Sequence, residues 1–280
     1  METLCSLQDL AKAIPDGAVL AIPPDNCGAP IAATLALIRR RARDLHLVCV
    51  PQSGLQTELL VGAGAVRTVE TAAITLGEFG PAYRFADALR AGRIRVLDAT
   101  CPAIHAGLQA AEKGLPFMPL RGIIGSDLLA NRSDWKVIDN PFAPGAPRAP
   151  GSPADPIVLL PAIAPDCALF HAPLADRHGN VFIGCKRELL LMAHASRRTF
   201  VTVEEWFPGN LLEDDRAAGV IPAIYITAVA LAPQGTWPLP FLDRCPGDDA
   251  IVSRYVEASR TQQGFDRILD ELLSRQPAAA

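Results

Sequence analysis

The chain alternates short, uninterrupted apolar runs with segments of helical spacing, and that alternation limits the fold more than any other feature. Residues 18–22, 45–50, 66–75 and 94–97 are runs of strand type. Between them, residues 30–41, 55–60, 83–90 and 104–113 read as helices. The first of these puts Ile31, Leu35 and Ile38 on one face and ends on Arg39, Arg40 and Arg41, as suits a helix C-terminus. The pattern resumes beyond residue 156, with strands at 157–160, 167–171, 200–203 and 224–231 and a helix at 189–195. Such alternation predicts βαβ units: an α/β fold with a largely parallel sheet and ligands at the carboxyl ends of its strands.

Length and composition agree. The 280 residues suffice for a real core, and the chain reads as a single domain over 1–280. A Pro-, Gly- and Ala-rich stretch at 142–156 reads as an exposed loop, and 248–275 as an amphipathic helical region broken at Gly264. With 50% hydrophobic and 20% charged residues, wholesale disorder is excluded. The net charge of −4 and the absence of a Lys/Arg stripe argue against nucleic acid as a partner. Residues 217–232 carry no charge, but the run is shorter than the ~20 residues a membrane span needs and contains Pro222, so it reads as a buried strand. The first residues lack the pattern of a signal peptide. Seven cysteines, none in a CxxC pair, are expected to be buried, reduced thiols, which points to the cytoplasm.

Several residues could carry chemistry. The loop from Pro116 to Asp127 holds Arg121 and Gly122, with Ser126-Asp127 placed to cap a helix. Its backbone N–H groups beside a guanidinium suit a carboxylate or thioester oxygen; a rigid structural turn explains it equally. Glu78, between Gly77 and Gly80 after the third strand, is a carboxylate at a strand end or a solvated turn acid. Cys101 lies between a strand and a helix, a setting that lowers a thiol pKa, but no sequence-local base accompanies it. Asp176-Arg177-His178-Gly179-Asn180 is a tight polar turn held by Asp and Asn side chains, with His178 as a conceivable base. Val61-Gly62-Ala63-Gly64 has the wrong order for a phosphate loop, because it follows a helix and leads into a strand. No metal site is expected: His171 and His178 have no third ligand nearby.

Four segments together resemble the α subunit of family I CoA-transferases, the glutaconate CoA-transferase group. They are Leu59 to Val66; Gly107-Leu108-Gln109-Ala110-Ala111 with Leu115-Pro116-Phe117-Met118-Pro119; Asp176 to Asn180, similar to the family's Asp-x-x-Gly-Asn turn; and Ser259-Arg260-Thr261-Gln262. The resemblance implies a Rossmann-like, mostly parallel sheet flanked by helices, and a homologous β subunit in an α/β heterodimer or α2β2 assembly. It implies acyl-CoA and carboxylic acid substrates, with coenzyme A as substrate carrier and no permanently bound cofactor. It also implies a ping-pong reaction in which a β-chain glutamate attacks the thioester, forms an acyl anhydride and then carries CoA as a glutamyl thioester.

The strand end equivalent to that glutamate reads Pro51-Gln52-Ser53-Gly54 here. Gln52 is a neutral amide, so no catalytic residue is expected in this chain, with Glu78 as the alternative. Ser53, Glu78, Cys101, Arg121 and Gly122 are expected to bind substrate, Arg121 by clamping a remote acid group. Two departures stand out. The turn after the first strand is Pro23-Pro24-Asp25-Asn26-Cys27-Gly28 rather than glycine-rich, which puts an oxyanion contact from that loop in question. Cys101 occupies the position where a steroid-ring-opening hydrolase branch has glutamate. A hydrolase on the same scaffold and a nonenzymatic member of the fold are the alternatives.

Overall fold

The computed structural model describes residues 3–143 and 155–275. At its centre eight strands lie side by side, every neighbouring pair parallel, in the order Leu4–Cys5, Ala228–Leu231, Thr199–Phe207, Cys167–Asp176, Val19–Ile22, Leu45–Cys49, Val66–Thr71, Arg95–Asp98. Val181–Phe182 and Val220–Ile221 extend this sheet as short antiparallel partners. The all-apolar runs are explained by helices on both faces. Leu7–Ala13, Ile31–Arg39 and Leu55–Gly62 cover one face, burying Leu20, Leu47 and Val69. Cys101–Glu112 and Arg187–Ala195 cover the other, burying Val48, Phe170 and Val201. A third layer, Asp249–Ala258 and Gln262–Ser274, packs on Ile31–Arg39 and Leu55–Gly62.

Local chemistry sets the helix starts. Ser6, Thr100, Asp248 and Thr261 each accept a backbone N–H from the first turn of the helix that follows. Thr261 separates the two C-terminal helices, so the break falls before Gly264, which lies inside the second helix and donates its N–H to Thr261 Oγ1.

Residues 116–127 are not one loop. Phe117–Leu120 is a strand, paired antiparallel with Pro156–Pro161, which also pairs with Lys136–Asp139. This small sheet and the turn of helix at Leu128–Asn131 form a lobe on the Cys101–Glu112 side of the molecule. Arg132 fastens the lobe to the main sheet. It donates to Glu70 Oε1 (2.8 Å), to both oxygens of Asp134 and to the Asp98 carbonyl, and lies 4.4 Å from the Trp135 ring centroid. Within the 142–156 stretch, residues 144–154 lie outside the described residues. The 224–231 run is shorter as a strand than expected: Ala223–Tyr225 is a helical turn, and the strand begins at Ala228. No helix among the described residues is long and apolar enough to cross a membrane.

Candidate functional site

The strand order runs outward in two directions from Val19–Ile22: toward Leu45–Cys49 on one side and Cys167–Asp176 on the other. Such a switch leaves a crevice beyond the carboxyl ends of the strands. The loops that follow Val19–Ile22, Leu45–Cys49 and Val66–Thr71 enclose a cavity of about 250 Å³ there. Asp25, Ser53, Gly54 and Thr75 supply its polar wall, and Leu76, Phe79, Leu239, Pro240 and Val252 its apolar wall. Asn26 and Gln52 line it from exposed positions.

Asp25 organises this wall. Its Oδ2 accepts the Leu55 N–H at 2.8 Å, and the nearby N–H groups of Gly54 and Gln56 also favour its charged form. The carboxylate thus sits on the N-terminus of the Leu55–Gly62 helix, where exposed donors and the helix dipole favour a negative charge. Gly54 permits the approach, because a Cβ there would fall on Asp25 Oδ2 and the Thr75 carbonyl. Burial pushes the Asp25 carboxyl up to about 6, and the three N–H groups offset only part of that. The residue keeps a partly exposed edge, but Oδ1 is buried and has no hydrogen-bond partner among the described residues. The same holds for Ser53 Oγ and for both amide atoms of Gln56, residues 2% and 0% exposed. Buried polar atoms without partners are uncommon and call for a reason. Four of the nine found among the described residues fall on these three residues, of which Asp25 and Ser53 line the cavity and Gln56 does not.

A buried pair holds the loops around the cavity. His171, fully enclosed, has Nδ1 2.8 Å from Thr202 Oγ1 and Nε2 2.8 Å from Glu204 Oε1. Glu204 Oε2 accepts the Gln234 N–H at 2.6 Å, at the start of the segment that carries Leu239 and Pro240. The His171 N–H donates to the Gly28 carbonyl at 2.8 Å, closing the first loop. Gly28 has φ +83°, and a Cβ there would strike the His171 carbonyl oxygen, so glycine is required. Burial lowers the His171 pKa against the opposing pull of Glu204. Burial alone would raise Glu204, but His171 and two backbone N–H groups hold it below the usual range. His171 and Glu204 are 33 residues apart, and nothing local in the sequence marks them as a pair.

Of the residues expected to bind substrate, the structure brings only Ser53 into this cavity. Glu78 lies between the lining residues Gly77 and Phe79 and is exposed. Cys101 is exposed at the start of its helix, in the other layer. Its Sγ is 3.7 Å from His105 Nδ1, one helical turn on, but that nitrogen donates to the Cys101 carbonyl at 2.8 Å and is therefore not a base for the thiol. Cys185 is exposed as well and Cys5 partly so, against the expectation of buried thiols; Cys27, Cys49, Cys167 and Cys245 are buried. Arg121 and Gly122 are exposed on the small lobe. Arg121 grips both oxygens of Asp155 at 2.6 and 2.8 Å. The expected convergence of Ser53, Glu78, Arg121 and Gly122 is therefore not formed within this chain. The polar turn is structural. Asp176 accepts the N–H groups of His178, Asn180 and Leu211 and the Asn180 amide, while Gly179 takes φ +89°.

Comparison with known proteins agrees with this architecture. The chain is 29% identical to one of the subunits of 3-oxoadipate CoA-transferase from Pseudomonas knackmussii, over 97% of this chain and 93% of that one. Among solved structures it is similar to glutaconate coenzyme A-transferase from Acidaminococcus fermentans, with TM-score 0.84 and 26% identity over 98% of this chain and 90% of that one. It is also similar to a variant of the decarboxylase AibA/AibB, with TM-score 0.82 and 30% identity over 98% of this chain and all of that one. Residues 5–232, most of the central sheet and both layers of helices against it, match the family Coenzyme A transferase, and the chain belongs to that family.

Proposed function

We propose that this chain is the α subunit of a heteromeric CoA-transferase, moving CoA from an acyl-CoA thioester to a carboxylic acid. The observation that carries this reading is Gln52. It stands exposed beside the cavity, at the strand end where the resemblance puts the attacking glutamate of the β subunit. An amide cannot attack a thioester and hold CoA, so the glutamate comes from the partner, and this chain lines the acyl pocket. Ser53 and Asp25 face the acyl group; Glu78 lies at the rim. Two of the matched relatives are named as one subunit of a CoA-transferase, which supports a partner chain.

In this reading the partner's glutamate attacks the thioester carbonyl and the CoA thiolate leaves, giving an acyl anhydride. The thiolate then attacks the glutamyl carbonyl and expels the first acid. The acceptor carboxylate reverses the two steps. The test is co-expression with the β partner, incubation with an acyl-CoA and reduction with borohydride. Mass spectrometry is expected to find the reduced glutamyl adduct on the partner; an adduct on Glu78 of this chain overturns the assignment.

One observation favours a second reading. The likeness to the decarboxylase AibA/AibB spans that chain in full at 30% identity, so the scaffold also serves chemistry that needs no acceptor acid. Product analysis separates the two: carbon dioxide released without an acceptor supports the decarboxylase, and acceptor-dependent formation of a new thioester supports the transferase.

A further inference from the structure

The acyl pocket's polarity bears on which acids it takes. Its lining contains no Lys, Arg or His among the described residues, and it does contain the Asp25 carboxyl, whose Oδ1 is buried and unpartnered. Glu78 adds a second acid beside the lining residues Gly77 and Phe79. Lys186 reaches the first loop at the Asn26 carbonyl (3.2 Å) but does not line the cavity. Arg121, the cation expected to clamp a remote acid group, is held by Asp155 on the small lobe. The remaining wall is Leu76, Phe79, Leu239, Pro240 and Val252.

We infer that this cavity takes the uncharged tail of a monocarboxylic acyl group and turns away acyl groups that carry a second carboxylate. The inference rests on the reading of the cavity as this chain's share of the acyl pocket. A carboxylate pressed among these apolar side chains would lose its hydration and gain no cation. It would also meet the Asp25 charge at short range in a poorly solvated space. An aliphatic tail meets five apolar side chains instead. The volume suits a short acyl chain and not a nucleotide. The substrate class thus departs from the dicarboxylic acids in the names of the relatives, glutaconate and 3-oxoadipate.

The test uses the complex of this chain with its β partner and two donors of equal length, pentanoyl-CoA and glutaryl-CoA. Calorimetry measures binding, and steady-state assays with acetate as acceptor measure transfer. Pentanoyl-CoA is expected to bind at least about tenfold more tightly, the scale of one unpaired charge. Asp25→Asn removes the charge and is expected to narrow the gap by strengthening glutaryl-CoA. Thr75→Lys, at an exposed lining position, supplies the missing cation and is expected to do the same if Asp25→Asn does not fold. Equal binding, or a preference for glutaryl-CoA, overturns the inference. Preferential binding of pentanoyl-CoA with no transfer leaves the specificity standing and overturns the transferase reading; no binding of either donor overturns both.

Discussion

Replacing Asp25 by Asn tests the electrostatic account of the cavity wall through stability, apart from any activity. In the folded chain the Asp25 carboxyl titrates at about 6, against an ordinary value of 3.8. A raised acid pKa means that the folded state binds the proton more tightly than the unfolded one. The resulting stabilisation is fully present below the unfolded value and is lost as pH rises through the folded value. A gap of about two units, at about 1.4 kcal/mol each, amounts to about 3 kcal/mol of stability missing at neutral pH. About 1.4 kcal/mol of that is lost between about pH 5 and pH 7.5. Asparagine keeps an acceptor oxygen for the Leu55 N–H and has no charge to desolvate. It gives up charge-assisted bonds, a cost of about 1–3 kcal/mol that does not vary with pH in the variant. The sign of the stability difference at one pH is therefore uninformative, and its slope is the readout. Urea unfolding of both proteins across about pH 5 to pH 7.5 is expected to show the variant gaining on the wild type by about 1.4 kcal/mol. Other titrating groups are common to both proteins and cancel. A flat difference, or one moving the other way, refutes the claim that burial outweighs the helix N-terminus at Asp25.

Three further outcomes are expected. Arg132→Met leaves the Glu70 carboxylate, 5% exposed, with only His46 Nε2 at 3.6 Å and should cost about 3 kcal/mol in a denaturant titration; a loss below about 1 kcal/mol would show that the lobe is held by its apolar contacts alone. Gly62→Ala is favourable by helix propensity, but its Cβ meets the Phe265 ring at 2.4–2.9 Å, so thermal melting should show a net loss of about 1–3 kcal/mol; an unchanged midpoint would mean that the Gln262–Ser274 helix does not pack there. The chain purified free of any β partner is expected to show no CoA transfer, and sustained turnover by such a preparation would place the nucleophile in this chain.

The fold was legible where burial leaves a local trace. Tyr83–Arg90 begins and ends as its apolar spacing predicts, and Leu45–Cys49 differs from the expected run by one residue. Cys167–Asp176 is buried at all ten positions, yet the sequence suggested only its first half, because Pro173 and the terminal Asp176 break the apolar run. The parallel pairing with Thr199–Phe207 accommodates the proline by skipping it, running from Ala172 opposite Val203 to Leu174 opposite Glu205. The small sheet was hidden for a related reason. Pro119 argues against a central strand, but Phe117–Leu120 is an edge strand, where a missing N–H costs no interior ladder bond. Lys136–Asp139 is exposed along its length and carries no burial pattern to read.

The site divides along the same line. Ser53 could be found because a strand end followed by a helix start is a local feature. Asp25 could not, because its partner N–H groups lie 30 residues on and its own surroundings, Pro-Pro-Asp-Asn, read as an ordinary turn. Yet Asp25 makes the difference between a pocket that is merely uncharged and one that disfavours anions. An unpaired buried polar atom costs about 1–3 kcal/mol, and four are gathered on Asp25, Ser53 and Gln56. Asp25 and Ser53, which carry two of them, line the cavity, and this supports the proposed placing of this chain's share of the function there rather than at the exposed Cys101 or the paired Arg121.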